Sequence, residues 1–193
     1  MSSSDTELLQ ALFATSTDTI LVDPLRREIW IDGDITEHVS RDFIRGVRHM
    51  EALGATRVDI MVNSNGGDVS EGLAIADYIK YVGTKSLVMA TKVIGVSYSA
   101  GSLISSSGTK GYRYALPNSN FLIHQLSAGG IDGKMEDLAS EIRHLEMLNK
   151  LLIQQLSTNS GQSVFTITRD VKQETYMSAQ QALKYGLIDH IGM

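Results

Sequence analysis

The chain has 193 residues, 42% of them hydrophobic and 20% charged, with two prolines and a formal net charge of −5. That balance describes one ordinary globular domain, long enough to bury a core without disulfides or a structural metal. Having no cysteine, it excludes a disulfide framework, a thiolate zinc site and a cysteine nucleophile, and its acidic balance argues against nucleic-acid or anionic-membrane partners, which need clustered Lys and Arg.

Residues 1–25 are rich in Ser, Thr and Asp around one apolar cluster, Leu8-Leu9-Gln10-Ala11-Leu12-Phe13, and are expected to be an N-terminal arm rather than a segment of the core. No Lys or Arg precedes Arg26, so the positively charged start of a secretory signal is missing. No apolar run approaches the roughly 20 residues of a membrane helix. The expected location is the cytoplasm.

A single domain is expected over residues 26–193. Glu28-Ile29-Trp30-Ile31 is a short β run, and Val39, Phe43, Val47 and Met50 recur at helical spacing. Val58–Val62 is a second strand, Asn63-Ser64-Asn65-Gly66-Gly67 a turn, and a helix follows to about Tyr81. Ser86–Ala90 resumes the strand series. This alternation, with near-continuous apolar strands, implies an α/β fold with a largely parallel sheet covered by helices.

From Lys134 to Ser157, Met135, Leu138, Ile142, Leu145, Leu152 and Leu156 recur at spacings of three and four, with Asn149 in the same seam. The stripe fits a helix packed on its own sheet, or a projecting helix that forms an oligomer. Glycine-rich Gly129–Gly133 before it and Asn159-Ser160-Gly161 after it favour projection. Near the end, Ser178-Ala179-Gln180-Gln181 is a capping-box start and Gly186 a helix stop.

The segment Gly95-Val96-Ser97-Tyr98-Ser99-Ala100-Gly101-Ser102 follows a strand and opens into a small-residue helix, the setting in which a sharp turn exposes a serine hydroxyl. Such a nucleophile needs a base, a carboxylate behind the base and N–H donors for the oxyanion. Ser99 ranks ahead of Ser97 because Gly101 follows it and permits close backbone approach. The bland alternative is a serine that caps the helix. His124 ends the apolar strand Phe121-Leu122-Ile123, where α/β sheets present catalytic groups. The other histidines, His38, His49, His144 and His190, read as helix-surface or terminal residues. Backbone N–H groups of the Gly66-Gly67 turn become oxyanion donors once a nucleophile lies beside them.

Gly66-Gly67, Ser99-Ala100-Gly101, Leu116-Pro117-Asn118-Ser119, Ile123-His124-Gln125, Ser160-Gly161-Gln162-Ser163, Ser178-Ala179 and Tyr185-Gly186-Leu187-Ile188-Asp189 fall in the order and approximate spacing of the Clp protease proteolytic-subunit (ClpP) family. The chain resembles an atypical member of that family over roughly residues 27–190. The resemblance implies the ClpP/crotonase-like fold of repeated β-β-α units with a projecting handle helix at about 134–157. It implies a serine endopeptidase with Ser99 as nucleophile, His124 as base, and Gly67 and Ala100 N–H groups as the oxyanion hole. No metal or small cofactor is implied. The implied assembly is a barrel of two stacked seven-membered rings, and the implied partners are peptides, unfolded polypeptides and an AAA+ unfoldase of the ClpX, ClpA or ClpC kind.

Three departures limit the carry-over. Glu174 stands where the family's acidic triad residue is Asp; Asp170 is the rival acid, four positions early. Lys172-Gln173 replaces an acidic residue and an Arg that pair between rings in many members. The arm lacks the family's usual start of the mature chain, which forms the axial pore loops. Two other readings are a non-catalytic subunit that supplies structure or docking to a barrel, and a crotonase-like acyl-CoA enzyme whose oxyanion site would need no Ser99–His124 pair.

Overall fold

The computed structural model describes residues 19–85, 87–127 and 135–192, in the last stretch with side chains from residue 137 onward. Residues 1–18 of the arm expected over residues 1–25, the residue Ser86 and the glycine-rich run before the long helix lie outside the described residues. Strands β1 (Ile20–Asp23), β2 (Glu28–Ile35), β3 (Arg57–Gly67), β4 (Val88–Tyr98), β5 (Arg113–Ala115), β6 (Asn120–Ile123), β7 (Thr175–Ser178) and β8 (His190–Ile191) form one sheet. Its main path is β1-β2-β3-β4-β5-β8, with β6 pairing both β4 and β7. The β2-β3-β4 centre and its β5, β6 and β8 neighbours are parallel; only the β1–β2 and β6–β7 pairings are antiparallel. Ile20–Asp23 thus extends the sheet ahead of the start expected at residue 26.

Helices α1 (Glu37–Ala52), α2 (Val69–Gly83) and α3 (Ala100–Ser106) pack over one face of the sheet. Val39, Phe43, Val47 and Met50 of α1 are all buried there with Ile29, Ile60, Val62 and Met89 of the strands. Burial of these apolar surfaces is the main force holding the layers together. The opposite face carries a row in cross-strand register, half-buried Trp30, Lys92 and Tyr114 with buried Met61 among them. Charge is paired on that face: Asp59 accepts from Arg57 at 2.6 Å and from Lys92 at 2.8 Å.

The long helix α4 (Met135–Ser160) has 26 residues, and its two halves divide the alternatives raised by its stripe. Leu148, Leu152, Ile153 and Leu156 are buried in the core, while Ile142 and Met147 are about half exposed, at 49% and 50%. The helix runs past the expected end at residue 157. Thr158 and Ser160 hydroxyls donate back to the Gln154 and Leu156 carbonyls, and buried Asn159 donates to the Ser106 and Ser107 hydroxyls. Tertiary partners therefore hold a polar run that reads as a loop. After helix α5 (Val164–Lys172) and β7, helix α6 (Ala179–Tyr185) begins at the expected Ser178–Gln181 capping box and ends at Gly186 in the left-handed conformation, φ 95°.

The run Asn63–Gly67 is not a turn. It is the irregular end of β3, paired with β2 through Asp34↔Gly66 and Ile35↔Gly67 and with β4 through Ser64↔Ser97, with register shifts on both sides. The irregularity is held by side chains: Asn63 accepts from the Val96 N–H at 3.1 Å, and the Ser64 hydroxyl donates to the Gly33 carbonyl at 2.6 Å while accepting from the Gly66 N–H at 3.0 Å. A bulged strand end next to the cavity re-aims backbone that a regular strand would pair away.

Candidate active site

Ser99 links the end of β4 to the start of α3 at φ 55° and ψ −122°. A non-glycine residue there is strained by roughly 1–3 kcal/mol and persists only when its surroundings fix it. The surroundings are glycines and small residues. A Cβ on Gly66 would lie 2.7 Å from the Ser99 Cβ, and one on Gly72 would lie 2.8 Å from the Ala100 Cβ. The Ser99 N–H donates to the Leu122 carbonyl of β6 at 2.9 Å. Its hydroxyl makes no capping bond to α3, so the reading of Ser99 as a helix cap fails. Ser97 is fully buried and its hydroxyl is shared with Ser105 at 2.9 Å, which removes it as a rival nucleophile.

Ser99, His124 and Gly67 line a single cavity of about 310 Å³. Gly67 reaches it from the bulged end of β3, and Ala100 is buried directly behind Ser99 as the first residue of α3. The first N–H groups of a helix have no intrahelical acceptor, so the Ala100 N–H is a donor left over by geometry. His144 and Leu145 of α4 also line this cavity. The assignment of His144 to a helix surface misses that contact, because residue spacing along α4 does not reveal how the helix crosses the sheet.

The two rival acids differ in their surroundings. Asp170 is buried, and its two oxygens accept from Arg169 Nε at 2.7 Å and Tyr185 Oη at 2.8 Å. Burial raises its pKa, but those hydrogen bonds and the Arg169 charge outweigh it and hold the carboxyl below the usual range. Burial and the same carboxylate push the Tyr185 hydroxyl up, so it stays a donor. Glu174 is exposed, at φ 52°, immediately before β7. The antiparallel register Phe121↔Met177, Leu122↔Tyr176, Ile123↔Thr175 brings the end of β6, which His124 follows, beside the start of β7, which Glu174 precedes. The Gln125 N–H, bonded to the Val171 carbonyl at 3.0 Å, fixes the backbone just beyond.

No hydrogen bond joins Ser99, His124 and Glu174 among the described residues. Catalytic contacts are often long or open in a free enzyme and tighten with substrate. Among those residues there is also no group of three His, Asp or Glu side chains placed to hold a metal ion, and no helix is long and apolar enough to cross a membrane.

The Clp protease family model matches residues 16–193. The chain belongs to the Clp protease family. It is 36% identical over 166 residues to the ATP-dependent Clp protease proteolytic subunit of Ligilactobacillus salivarius, covering 86% of this chain and 82% of that one. To the protein of the same description from Streptococcus sanguinis it is 39% identical over 167 residues, 86% of this chain and 84% of that one. Within the Clp family setting, the strained Ser99, the strand-end His124 and the bulged Gly66-Gly67 form one constellation around one cavity. The family assignment does not favour a crotonase-like acyl-CoA enzyme or a purely structural subunit.

Proposed function

We propose that the chain is the serine endopeptidase subunit of a Clp-type barrel, cleaving unfolded polypeptide delivered by an ATP-dependent AAA+ unfoldase in the cytoplasm. The observation that carries the reading is Ser99: strained at φ 55°, with a hydroxyl that caps nothing and opens on the cavity lined by His124. In the proposed reaction the Ser99 hydroxyl attacks the peptide carbonyl as His124 takes its proton. The N–H groups of Gly67 and Ala100 stabilise the oxyanion, and His124 then protonates the leaving amine. Water hydrolyses the acyl-enzyme by the same route reversed. Glu174 holds the imidazole in the required tautomer and stabilises the imidazolium; a glutamate can do this as an aspartate does, since the work is done by a carboxylate oxygen.

Exposed Ile142, Met147 and Leu151 of α4 support the reading as apolar surface available to a second copy. Lys172 and Gln173 are also exposed, so two stacked seven-membered rings would couple here without the acid–Arg pair.

The test is hydrolysis of a short fluorogenic peptide by the assembled protein. Activity that disappears with Ser99→Ala, accompanied by labelling of Ser99 by a fluorophosphonate, supports the reading. An assembled wild-type protein that is neither labelled nor active with any unfoldase refutes it.

A further inference from the structure

Glu174 occupies a helix end that glycine usually makes. Helix α5 is closed by Gln173, whose N–H bonds the Asp170 carbonyl at 3.2 Å, and Glu174 follows in the left-handed region at φ 52°. At an end of this kind two N–H groups turn back onto the last turn, that of the left-handed residue and that of the residue after it, and the left-handed residue is most often glycine. Here the first bond is long, from the Glu174 N–H to the Val171 carbonyl at 3.4 Å. The place of the second is taken by a side chain: the hydroxyl of half-buried Thr175 donates to the Asp170 carbonyl at 2.8 Å. A glutamate at positive φ is strained and persists only where its neighbours hold it, and the Thr175 hydroxyl makes the shorter of these two bonds. The same helix end fixes the other side of the site, because the Val171 carbonyl also accepts from the N–H of Gln125, the residue after His124, at 3.0 Å. The segments of the candidate base and the candidate acid are therefore both referred to one buried turn, Asp170-Val171.

We propose that Thr175 is a positioning residue for the peptidase reaction, its hydroxyl holding Glu174 in the left-handed conformation that sets the carboxylate beside His124. Threonine suits the task because it holds the helix end through its side chain from within β7, where it is the register partner of Ile123 in β6. The inference rests on the peptidase reading and on Glu174 as its acid, and adds to them the group that keeps the acid in place.

The experiment measures kcat and KM for a short fluorogenic peptide, and the rate of Ser99 labelling by a fluorophosphonate, in the assembled wild-type protein, Thr175→Val, Thr175→Ser, Glu174→Ala and the double variant Thr175→Val with Glu174→Ala. Valine keeps the branched shape that a strand favours and replaces only the hydroxyl by a methyl. In Thr175→Val kcat is expected to fall about tenfold with KM nearly unchanged, the size of one net hydrogen bond felt through the alignment of a reacting group. Thr175→Ser, which keeps the hydroxyl, is expected to recover most of that loss. In the Glu174→Ala background the same Thr175→Val change is expected to move neither readout, since no carboxylate is left to position. A wild-type kcat in Thr175→Val, no recovery in Thr175→Ser, or a loss of the same size that persists without Glu174 overturns the role of Thr175 and leaves the peptidase reading standing. Absence of Ser99 labelling and turnover in the wild-type protein overturns both.

Discussion

The two ends of helix α3 treat polar groups in opposite ways. At the N-terminal end Ser99 is strained, its hydroxyl caps nothing and it faces a cavity. Beyond the C-terminal end, buried Arg113 donates to the Ser106 carbonyl at 3.2 Å and the Asn159 carbonyl at 2.8 Å, closing the ends of α3 and α4 together. Its charge is met by Asp189, Nε to Oδ2 at 2.8 Å, and the same Asp189 oxygen accepts from the Gly111 N–H at 2.7 Å. One end leaves hydrogen-bonding capacity unspent, which a reaction requires; the other pairs its charge and binds four acceptors, which a buried charge requires. The same contrast separates the two acids, with Asp170 saturated by Arg169 and Tyr185 and Glu174 exposed.

The sharpest way to break this contrast is Ser99→Ala. Peptide hydrolysis should fall by at least about 10⁴-fold while the thermal midpoint stays close to wild type; a large loss of stability would show that the hydroxyl is structural after all. Arg113→Ala should do the reverse, costing about 3–5 kcal/mol in chemical denaturation because it strands the Asp189 carboxylate and two helix-end carbonyls. Equal stability would mean that the junction is ornamental.

The acids give the next test. Glu174→Ala should lower kcat/KM by about 10³-fold with little change in melting, whereas Asp170→Asn should cost about 1–3 kcal/mol of stability with a much smaller effect on turnover. Exchange of those two phenotypes would make Asp170 the triad member.

Acid should act on the closed regions first. Burial raises the Asp189 pKa, but the hydrogen bond and charge of Arg113, with the Gly111 and Arg113 N–H groups, outweigh it and hold the carboxyl below its usual value, as at Asp170. A carboxyl lowered on folding stabilises the native state above its unfolded value, about 3.9 for Asp. That contribution is lost as pH falls through the folded value. Urea midpoints measured below about pH 4 should therefore decline, and the decline should be shallower in Asp189→Asn.

The smallest expected effect isolates strain from chemistry. Ser99→Gly relieves the positive φ and should be more stable than Ser99→Ala by about 1 kcal/mol, with both variants inactive. No difference between them would mean that the elbow is unstrained.

Much of this was written locally in the chain. The Val39-Phe43-Val47-Met50 stripe, the Ser178 capping box and the Gly186 stop are nearest-neighbour signals, and each formed where its spacing required. The candidate nucleophile was legible as a small-residue strand-to-helix junction, and the family as a set of short motifs in order. Decisions that depend on distant partners were not legible. Asn63–Gly67 reads as a turn from its composition, and it is a bulged strand because β2 and β4 flank it. Thr158-Asn159-Ser160 reads as a loop, and it stays helical because Ser106, Ser107 and Arg113 receive it. In the sequence Asp170 has the family's residue type and Glu174 its position. The β6–β7 register and the Arg169–Tyr185 clamp give them different surroundings, since which atoms a carboxylate meets is fixed by chain segments far away in sequence. The place of His144 on the wall of the Ser99 cavity was decided in the same way, by the crossing of α4 over the sheet.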